Sequence, residues 1–286
     1  MKIAVLGTGV MGAALAELFI SAGHDVIVYN RSIERTAPLI ALGAKRADTP
    51  ATAIAAAEAS IIVVQDAQGV TDILLNDMTR LVLKGKKILN ASTTKPEEIR
   101  QMALKVSELG GDLAEMSIMV GSEQLRNKQG QFILGCSNAT NVKFWTELLQ
   151  GVGERLDYAG AVGAASEAET PILFASMFGV VTAAYAAAAA LKLNIPKAIS
   201  EHYISVSAPG SEYLLPNLLA RNYDNVMASV DSFAYVSRTA IDTAQSLGLP
   251  TLVLEDINEL FSQAAQKGLG SKDGTAIGEI LIDSAS

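Results

Sequence analysis

Three glycines near the start of the chain have the spacing of a nucleotide-binding turn. Gly7, Gly9 and Gly12 follow a short apolar run, 2–6, and precede an amphipathic helix pattern. In that context the first glycine permits a tight turn, the second lets the backbone approach a pyrophosphate, and the third lets helix pack on strand. A helix N-terminus there offers unpaired N–H groups to phosphates. The predicted phosphate-binding residues are Gly7, Thr8, Gly9, Val10 and Met11.

The residues after the second apolar run, 25–29, indicate which dinucleotide is bound. An NAD site usually has Asp or Glu here, which binds the ribose hydroxyls. Asn30 removes a carboxylate that would repel a 2′-phosphate, Arg31 can bind that phosphate bidentately, and Ser32 can donate a hydrogen bond. Arg35 lies one turn further on, and the alternative is that both arginines are solvated surface residues. We expect NADPH to be the cofactor.

Two carboxylates, Glu167 and Glu169, precede the long uncharged run 170–191. A carboxylate attracts a cationic substrate such as an iminium, and a carboxyl whose pKa is raised by apolar surroundings can donate a proton. The alternative is that both acids only complement the N-terminus of a helix, with Thr170 as its cap and Pro171 at its first position. The pattern alone leaves both interpretations open.

Alternating apolar runs and helix patterns predict the elements that position these side chains. Strands are expected at 61–65, 87–90 and 132–134, in parallel βαβ units with right-handed crossovers. In such a sheet the ligand lies beyond the carboxyl ends of the strands. The residues that follow these strands, and that we expect beside the nicotinamide, are Gln65, Asp66, Asn90, Ser92 and Thr93.

The run 170–191 would span about 33 Å as a helix, which is long enough to cross a bilayer. Its high alanine content argues against that use, as do the interruptions at Ser176, Thr182 and Tyr185 and the lack of a flanking basic cluster. We expect a helix buried among other helices of a soluble protein instead.

The remainder of the chain has only helix patterns. A break at 209–210 is followed by helix patterns at 225–245 and 251–267. The sequence therefore predicts two domains, an α/β domain at 1–160 and a helical domain at 161–286.

Composition excludes several classes of protein. Half of the 286 residues are apolar and 18% are charged, so the chain can form a core and is not disordered throughout. The net charge of -8 and the shortness of the basic runs argue against nucleic acid as a partner. Cys136 is the single cysteine, which fits a reducing compartment, and no metal-ligand spacing is present. With no signal peptide recognised, we expect a cytoplasmic protein.

The sequence as a whole resembles the β-hydroxyacid dehydrogenase superfamily, which includes 3-hydroxyisobutyrate dehydrogenase. The resemblance covers nearly the whole chain. It implies an N-terminal Rossmann domain, a long interdomain helix, and an all-α C-terminal domain that interlocks with a second copy in a homodimer. The segments that carry it are 7–12, 23–24, 30–31, 92–93, 160–163 and 267–273.

Three departures from the acid dehydrogenases concern the catalytic residues. The family's Ser-Gly-Gly substrate loop is Met119-Val120-Gly121 here, its catalytic lysine is Glu169, and its Asn pair is Ile172-Leu173. These positions look like those of the imine reductases, a branch that uses NADPH and typically has Asp or Tyr at the lysine position. The resemblance therefore implies an NADPH-dependent imine reductase with Glu169 as the catalytic residue.

The resemblance and the apolar residues near Glu169 together predict a substrate pocket. The alternative for most of these side chains is a place in the core. Two rival functions also stay open, a β-hydroxyacid dehydrogenase with an altered proton donor and a non-catalytic NADPH-binding sensor. The predicted pocket residues are Met119, Val120, Ile172, Met177, Phe178, Tyr213 and Tyr235.

Overall fold

The protein is described from a computed structural model, which places residues 1–208 and 210–283. Residue 209, at the predicted break 209–210, lies outside the described residues. The chain divides into two compact units, Met1–Glu169 and Thr170–Ser286. The first contains a sheet flanked by helices, and the second is helical, as the sequence predicts for an α/β Rossmann domain followed by an all-α domain.

An eight-stranded sheet forms the centre of the first unit, in the order β3-β2-β1-β4-β5-β6-β7-β8. Strands β1 to β6 pair in parallel, β7 is antiparallel to β6, and β8 is parallel to β7. The strands are β1 Lys2–Leu6, β2 Asp25–Tyr29, β3 Lys45–Arg46, β4 Ala59–Ile62, β5 Lys87–Asn90, β6 Asp112–Ile118, β7 Gln131–Gly135 and β8 Arg155–Gly160.

Eight helices lie wholly within this unit, and a 3-10 turn at Ile33–Thr36 follows β2. The first of them begins directly after the glycine turn. The helices are α1 Val10–Ser21, α2 Ala37–Ala41, α3 Pro50–Ala56, α4 Ala67–Leu74, α5 Asp77–Arg80, α6 Pro96–Glu108, α7 Ser122–Arg126 and α8 Ala139–Gln150.

Side-chain alternation along the strands divides the core of the first unit into two clusters. Ile3 and Val5 of β1 enter one cluster, with Trp145 of α8, whereas Ala4 and Leu6 enter the other. Because successive side chains of a strand point to opposite faces, the two clusters lie on opposite sides of the sheet. Helices therefore cover both faces, which leaves the carboxyl ends of the strands available for a ligand.

Two expectations about the sheet were incomplete. Strands β3, β6 and β8 were not among the predicted strands, and β7 is antiparallel to β6 rather than part of a parallel unit. Parallel neighbours need a long crossover, usually a full helix. The connection from β6 to β7 contains only α7, Ser122–Arg126, which is too short to cross the face of the sheet, so the chain returns beside the strand it has left.

The helix α9 runs from Ala164 to Lys192 and continues from the first unit into the second. The start expected at Thr170 and Pro171 is therefore wrong, because both residues lie inside the helix. The helix begins where a turn with Gly163 at φ +100° brings its first N–H groups to a buried carboxylate on β6. Glu167 and Glu169 consequently occupy the first two turns of the helix instead of preceding it.

In the second unit, α9 contributes one face to a compact helical core. Met177, Ala183 and Ala187 of this helix pack in one cluster with Phe261 and Ile277. The helices that complete the unit are α10 Lys197–Ser207, α11 Leu215–Ala220, α12 Val230–Ser246, α13 Leu252–Ala264 and α14 Gly278–Asp283.

The opposite face of α9 is exposed in this single chain. Phe178 and Tyr185 are 41% and 56% exposed, and only 33% of the most apolar stretch of the helix is buried. Within the described residues it is the one helix long and apolar enough to cross a membrane, a test of length and composition that core helices of soluble proteins also pass. Residues of the same chain therefore do not cover this face of α9, and the helix is not fully buried within one chain.

Candidate functional site

The three glycines of the first turn have different surroundings. Gly7 has φ +98°, and a Cβ there would lie 2.0 Å from the Val63 carbonyl oxygen. A Cβ at Gly12 would lie 1.9 Å from the Gly7 carbonyl oxygen, whereas one at Gly9 would meet no atom within 4 Å. Packing therefore requires glycine at the first and third positions. At the second position glycine leaves open space beside the helix N-terminus, where the backbone can approach a pyrophosphate.

The N-terminus of α1 is suited to bind phosphate. Gly9 is its N-cap, so no side chain caps the first turn, and that turn contains no acidic residue. Val10 is 42% exposed and Met11 half-buried, while Thr8 is buried. Because the first N–H groups of a helix have no partner within it, they can donate to a bound anion. The five residues predicted for phosphate binding lie together at this turn.

The side chain of Asn30 connects the glycine turn to the end of β2. Its Oδ1 accepts from Thr8 N at 3.0 Å, and its Nδ2 donates to the Ser32 carbonyl at 2.9 Å. Arg31, Ser32 and Arg35 are exposed beside it. Among the described residues neither guanidinium has a carboxylate partner within ion-pair distance. The two positive charges are therefore available to an anionic group next to the turn, and these residues fit a dinucleotide.

The polar residues after β4 and β5 are connected by hydrogen bonds. Ser92 Oγ accepts from Val64 N at 2.9 Å, and Ser92 N donates to Oδ1 of the buried Asn90 at 3.1 Å. Asp66 accepts from Gly69 N at 2.7 Å as the N-cap of α4. These bonds hold two strand ends together at the carboxyl edge of the sheet. Gln65 is exposed and Thr93 half-buried at the same edge, and their contact with nicotinamide stays a prediction.

Glu169 is buried, with 8% of its surface exposed, in the second turn of α9. Ser117 Oγ of β6 donates to its Oε2 at 2.7 Å. Burial raises the pKa of the Glu169 carboxyl above its ordinary value; the Ser117 hydrogen bond opposes that shift, and the nearby charge of Glu115 adds to it. A carboxyl with a raised pKa is a candidate general acid.

Glu115 is a second buried carboxyl, which the sequence analysis did not identify. It lies in the middle of β6, is 2% exposed, and accepts from Gly163 N, Ala165 N and Ser166 Oγ. Burial raises its pKa above the ordinary value, against the opposing effect of these hydrogen bonds. A charged residue within the apolar run 113–118 is the signal that could have revealed it, since such residues are rarely buried without a partner.

The two acids that the sequence pattern grouped together have different surroundings. Glu167 is exposed and forms an ion pair with Arg100 of α6, whereas Glu169 is buried against β6. One helical turn brings i and i+3 to the same face, but residues two apart face different directions. Of these two acids, Glu169 is the one that is buried, and burial raises its pKa.

The predicted substrate loop follows directly after β6. Met119 N donates to the Gln131 carbonyl at 2.8 Å, and Gly121 N donates to Gln124 Oε1 at 2.9 Å. The side chains of Met119 and Val120 are half-buried, and Val120 packs against the core of the first unit. The loop is thus fixed by its backbone and presents apolar side chains where a carboxylate-binding loop would present hydroxyl donors.

The other predicted pocket residues belong to the second unit. Met177 is fully buried in its core, as the alternative interpretation expected. Ile172, Phe178 and Tyr213 are 45%, 41% and 64% exposed, and Tyr235 is half-buried. Their role in a pocket stays a prediction. In residues 1–208 and 210–283, no group of three His, Cys, Asp or Glu side chains could hold a metal ion.

Comparison with known proteins identifies the first unit. Residues 2–160 match the family described as the NAD binding domain of 6-phosphogluconate dehydrogenase. Among curated proteins, cytokine-like nuclear factor N-PAC of Drosophila pseudoobscura pseudoobscura is 24% identical over 277 residues, which is 95% of this chain and 45% of that protein. The chain thus spans about half the length of such relatives.

Solved structures share the fold over the whole chain. A 3-hydroxyisobutyrate dehydrogenase from Salmonella typhimurium is similar with a TM-score of 0.86 at 22% identity, covering 98% of this chain and 99% of that one. An imine reductase from Myxococcus stipitatus, solved with NADP+, is similar with a TM-score of 0.67 at 20% identity, covering 98% and 100%. The chain therefore belongs to the family of the 6-phosphogluconate dehydrogenase NAD binding domain and has the fold of an NAD(P)-dependent oxidoreductase.

Proposed function

We propose that this protein is an NADPH-dependent imine reductase and that Glu169 is its catalytic residue. The observation that carries the proposal is the buried carboxyl of Glu169, hydrogen-bonded to Ser117, at the position where the acid dehydrogenases of the superfamily have a lysine. A carboxyl whose pKa burial has raised can donate a proton or stabilise a cation, and both properties suit a C=N substrate.

The cofactor assignment rests on the end of β2. NADPH supplies a hydride when bound. The N-terminus of α1 would hold the pyrophosphate, and the unpaired Arg31 would bind the 2′-phosphate with Ser32 and Arg35. Asn30, being uncharged, does not repel that phosphate, whereas an aspartate would.

The role proposed for Glu169 is transfer of one proton. Reduction of an imine adds a hydride to carbon and a proton to nitrogen, which gives the amine. Glu169 donates the proton from its carboxyl to the imine nitrogen, becomes a carboxylate, and is reprotonated from water before the next turnover. For a substrate that arrives already protonated, the ionised Glu169 stabilises the iminium by charge; at 4 Å and an effective dielectric of 20 that attraction is about 4 kcal/mol.

The same residues disfavour a hydroxyacid substrate. A carboxyl at position 169 offers a substrate carboxylate no positive charge, unlike a lysine, and Met119 and Val120 offer no hydroxyl group to bind one. Ile172 and Leu173 replace the polar pair that accompanies the lysine in the acid dehydrogenases. Similarity to both a 3-hydroxyisobutyrate dehydrogenase and an imine reductase supports the fold of either branch, so the assignment depends on these side chains.

The test compares substrates on one preparation of the whole chain. Panels of cyclic imines and of short β-hydroxyacids are assayed with NADPH and NADP+ respectively, following cofactor absorbance. Imine-dependent NADPH oxidation is expected. Oxidation of hydroxyacids in its place would make the protein a dehydrogenase with an altered proton donor. Tight NADPH binding with no turnover of any imine, ketone or hydroxyacid would make it a sensor, a result of interest given its relatives named as nuclear factors.

Two matched variants test the role of Glu169. Glu169→Gln keeps the size of the side chain and removes its acidity, so kcat with imines should fall by roughly 10²–10⁴, while NADPH affinity changes little. Glu167→Gln is the control, because that acid is on the same helix but exposed and paired with Arg100. Equal kcat values for the wild type and Glu169→Gln would remove Glu169 from the mechanism and leave Tyr213 and Tyr235 as the next proton donors to test.

A further inference from the structure

We propose that Glu115 is a positioning residue for Glu169: held as an anion by the first turn of α9, it keeps the Glu169 carboxyl protonated and ready to donate. Only one consequence of this proposal, the pH dependence of kcat, rests on the proposed function. The structural part of the proposal concerns two buried carboxyls, Glu115 on β6 and Glu169 on α9. Each accepts from one hydroxyl, and Glu115 also accepts from backbone N–H groups at the start of α9.

The hydrogen-bond donors around Glu115 favour its ionised form and oppose the effect of burial, which raises its pKa. Oε1 accepts from Gly163 N and from Ala165 N at 3.0 Å, and Oε2 accepts from Ser166 Oγ. A carboxylate can accept all three bonds, whereas a proton on either oxygen would compete with a donor already there. The positive end of the α9 helix dipole lies at the same place and also favours the anion.

Two glycines near Glu115 leave space for charged side chains. Gly135 of β7 lies opposite Glu115 in the sheet, and a Cβ there would lie 2.5 Å from Glu115 Oε1. At Gly163, with φ +100°, a side chain would meet Arg100 at 2.4 Å. Glycine in a strand interior weakens the strand unless another group needs the space. Gly135 therefore leaves room for a charge that would otherwise be costly to bury, and Gly163 leaves room for Arg100.

The surroundings of Glu169 favour its protonated form. Its partner, Ser117 Oγ at 2.7 Å, is a hydroxyl that can donate to a carboxylate or accept from a carboxylic acid. Of the charged groups in the first unit, Glu115 is the one that acts on Glu169. Arg100 of α6 pairs with Glu167 and is influenced more weakly by Glu97 and Glu115, so no cation compensates Glu169 directly.

Because the two carboxyls have such different partners, a single proton is bound by Glu169 rather than by Glu115. Glu115 ionises first, and its charge then opposes ionisation of Glu169, the arrangement that separates an acid from its neighbour in other carboxyl pairs. When Glu169 gives its proton to the substrate nitrogen, both Glu115 and Glu169 are carboxylates. Their repulsion favours return of a proton from water to Glu169, which resets the donor.

Infrared titration of the cofactor-free protein tests the proposal without reference to activity. A protonated carboxyl has a C=O band separate from that of a carboxylate. The wild type should show such a band at pH 7, and Glu169→Gln should abolish it, because the proposal keeps Glu115 ionised. A wild type with no band at pH 7, or a band that persists in Glu169→Gln, overturns the proposal, whether or not any Glu115 variant folds.

Three variants then test the direction of the coupling. Glu115→Gln should lower the midpoint of the Glu169 band, since it removes a like charge. Ser117→Ala should raise it, because the lost hydrogen bond favours the ionised form. Glu167→Gln, the exposed control, should leave it unchanged. A midpoint that stays in place or rises in Glu115→Gln contradicts the proposed coupling.

Kinetics separate this inference from the proposed function. If imine reduction requires Glu169, the loss of kcat on the alkaline side should move to lower pH in Glu115→Gln by the shift seen in the infrared titration. An active Glu169→Gln variant would remove Glu169 from the proposed mechanism while leaving the titration result intact. A large effect of Glu169→Gln, combined with a pH profile unchanged by Glu115→Gln, would retain the function and remove Glu115 from it.

Discussion

Arg31 gives the sharpest test of cofactor choice. Its guanidinium is exposed at the end of β2 and has no ion-pair partner among the described residues, so Arg31→Ala removes no contact on which the fold depends. What it removes is a charge beside Asn30 and Ser32, where the proposal puts the 2′-phosphate. NADH lacks that phosphate, so the substitution should affect the two cofactors unequally.

The size of the effect follows from the exposure of Arg31. A hydrogen bond to a charged group contributes about 1.5–3 kcal/mol, and solvent screening at an exposed site favours the lower value. At about 1.4 kcal/mol per factor of ten, the ratio of KM for NADPH to KM for NADH should rise roughly tenfold. Screening also predicts that the difference between the wild type and the variant decreases as salt is raised.

The assay measures KM for both cofactors at a saturating imine concentration, and Kd for both by fluorescence titration so that binding is seen apart from turnover. Arg80→Ala, at an exposed arginine on α5, is the matched control and should leave the ratio unchanged. Equal changes for NADPH and NADH in Arg31→Ala would refute the phosphate assignment.

Three further predictions concern stability and assembly. Because burial raises the pKa of Glu169 in the folded protein, the folded state binds more protons than the unfolded state above pH 4.5, and the wild type loses stability as pH rises. Glu169→Gln removes this loss, so its Tm should exceed that of the wild type by more at pH 8 than at pH 5. An equal difference at both pH values would contradict burial as the cause. Gly12→Ala should cost about 1–3 kcal/mol by overpacking, whereas Gly9→Ala should keep its Tm and weaken cofactor binding; comparable Tm losses would contradict this geometry. The exposed face of α9 predicts a dimer by sedimentation at micromolar concentration, and a well-folded monomer would disprove it.

The sequence by itself determined the elements whose signals are local. Strands β1, β2 and β5 begin and end as predicted, and the glycine turn between β1 and α1 has the expected form. Each of these features depends on residues a few positions apart: alternation of apolar side chains, a turn that only glycine permits, and a polar residue directly after a strand. The same locality places Asn30 and Arg31 beside the turn from the sequence alone.

Tertiary structure alone decided the surroundings of Glu169. Ser117 and Glu169 are 52 positions apart, and Glu115 binds N–H groups 48 and 50 positions away. No periodicity in the sequence encodes such pairs, because they depend on where the start of α9 meets β6. The antiparallel return of β7 likewise depends on α7 being too short to cross the sheet. The acidity of Glu169 therefore follows from burial and from a neighbouring charge, which only the folded chain supplies.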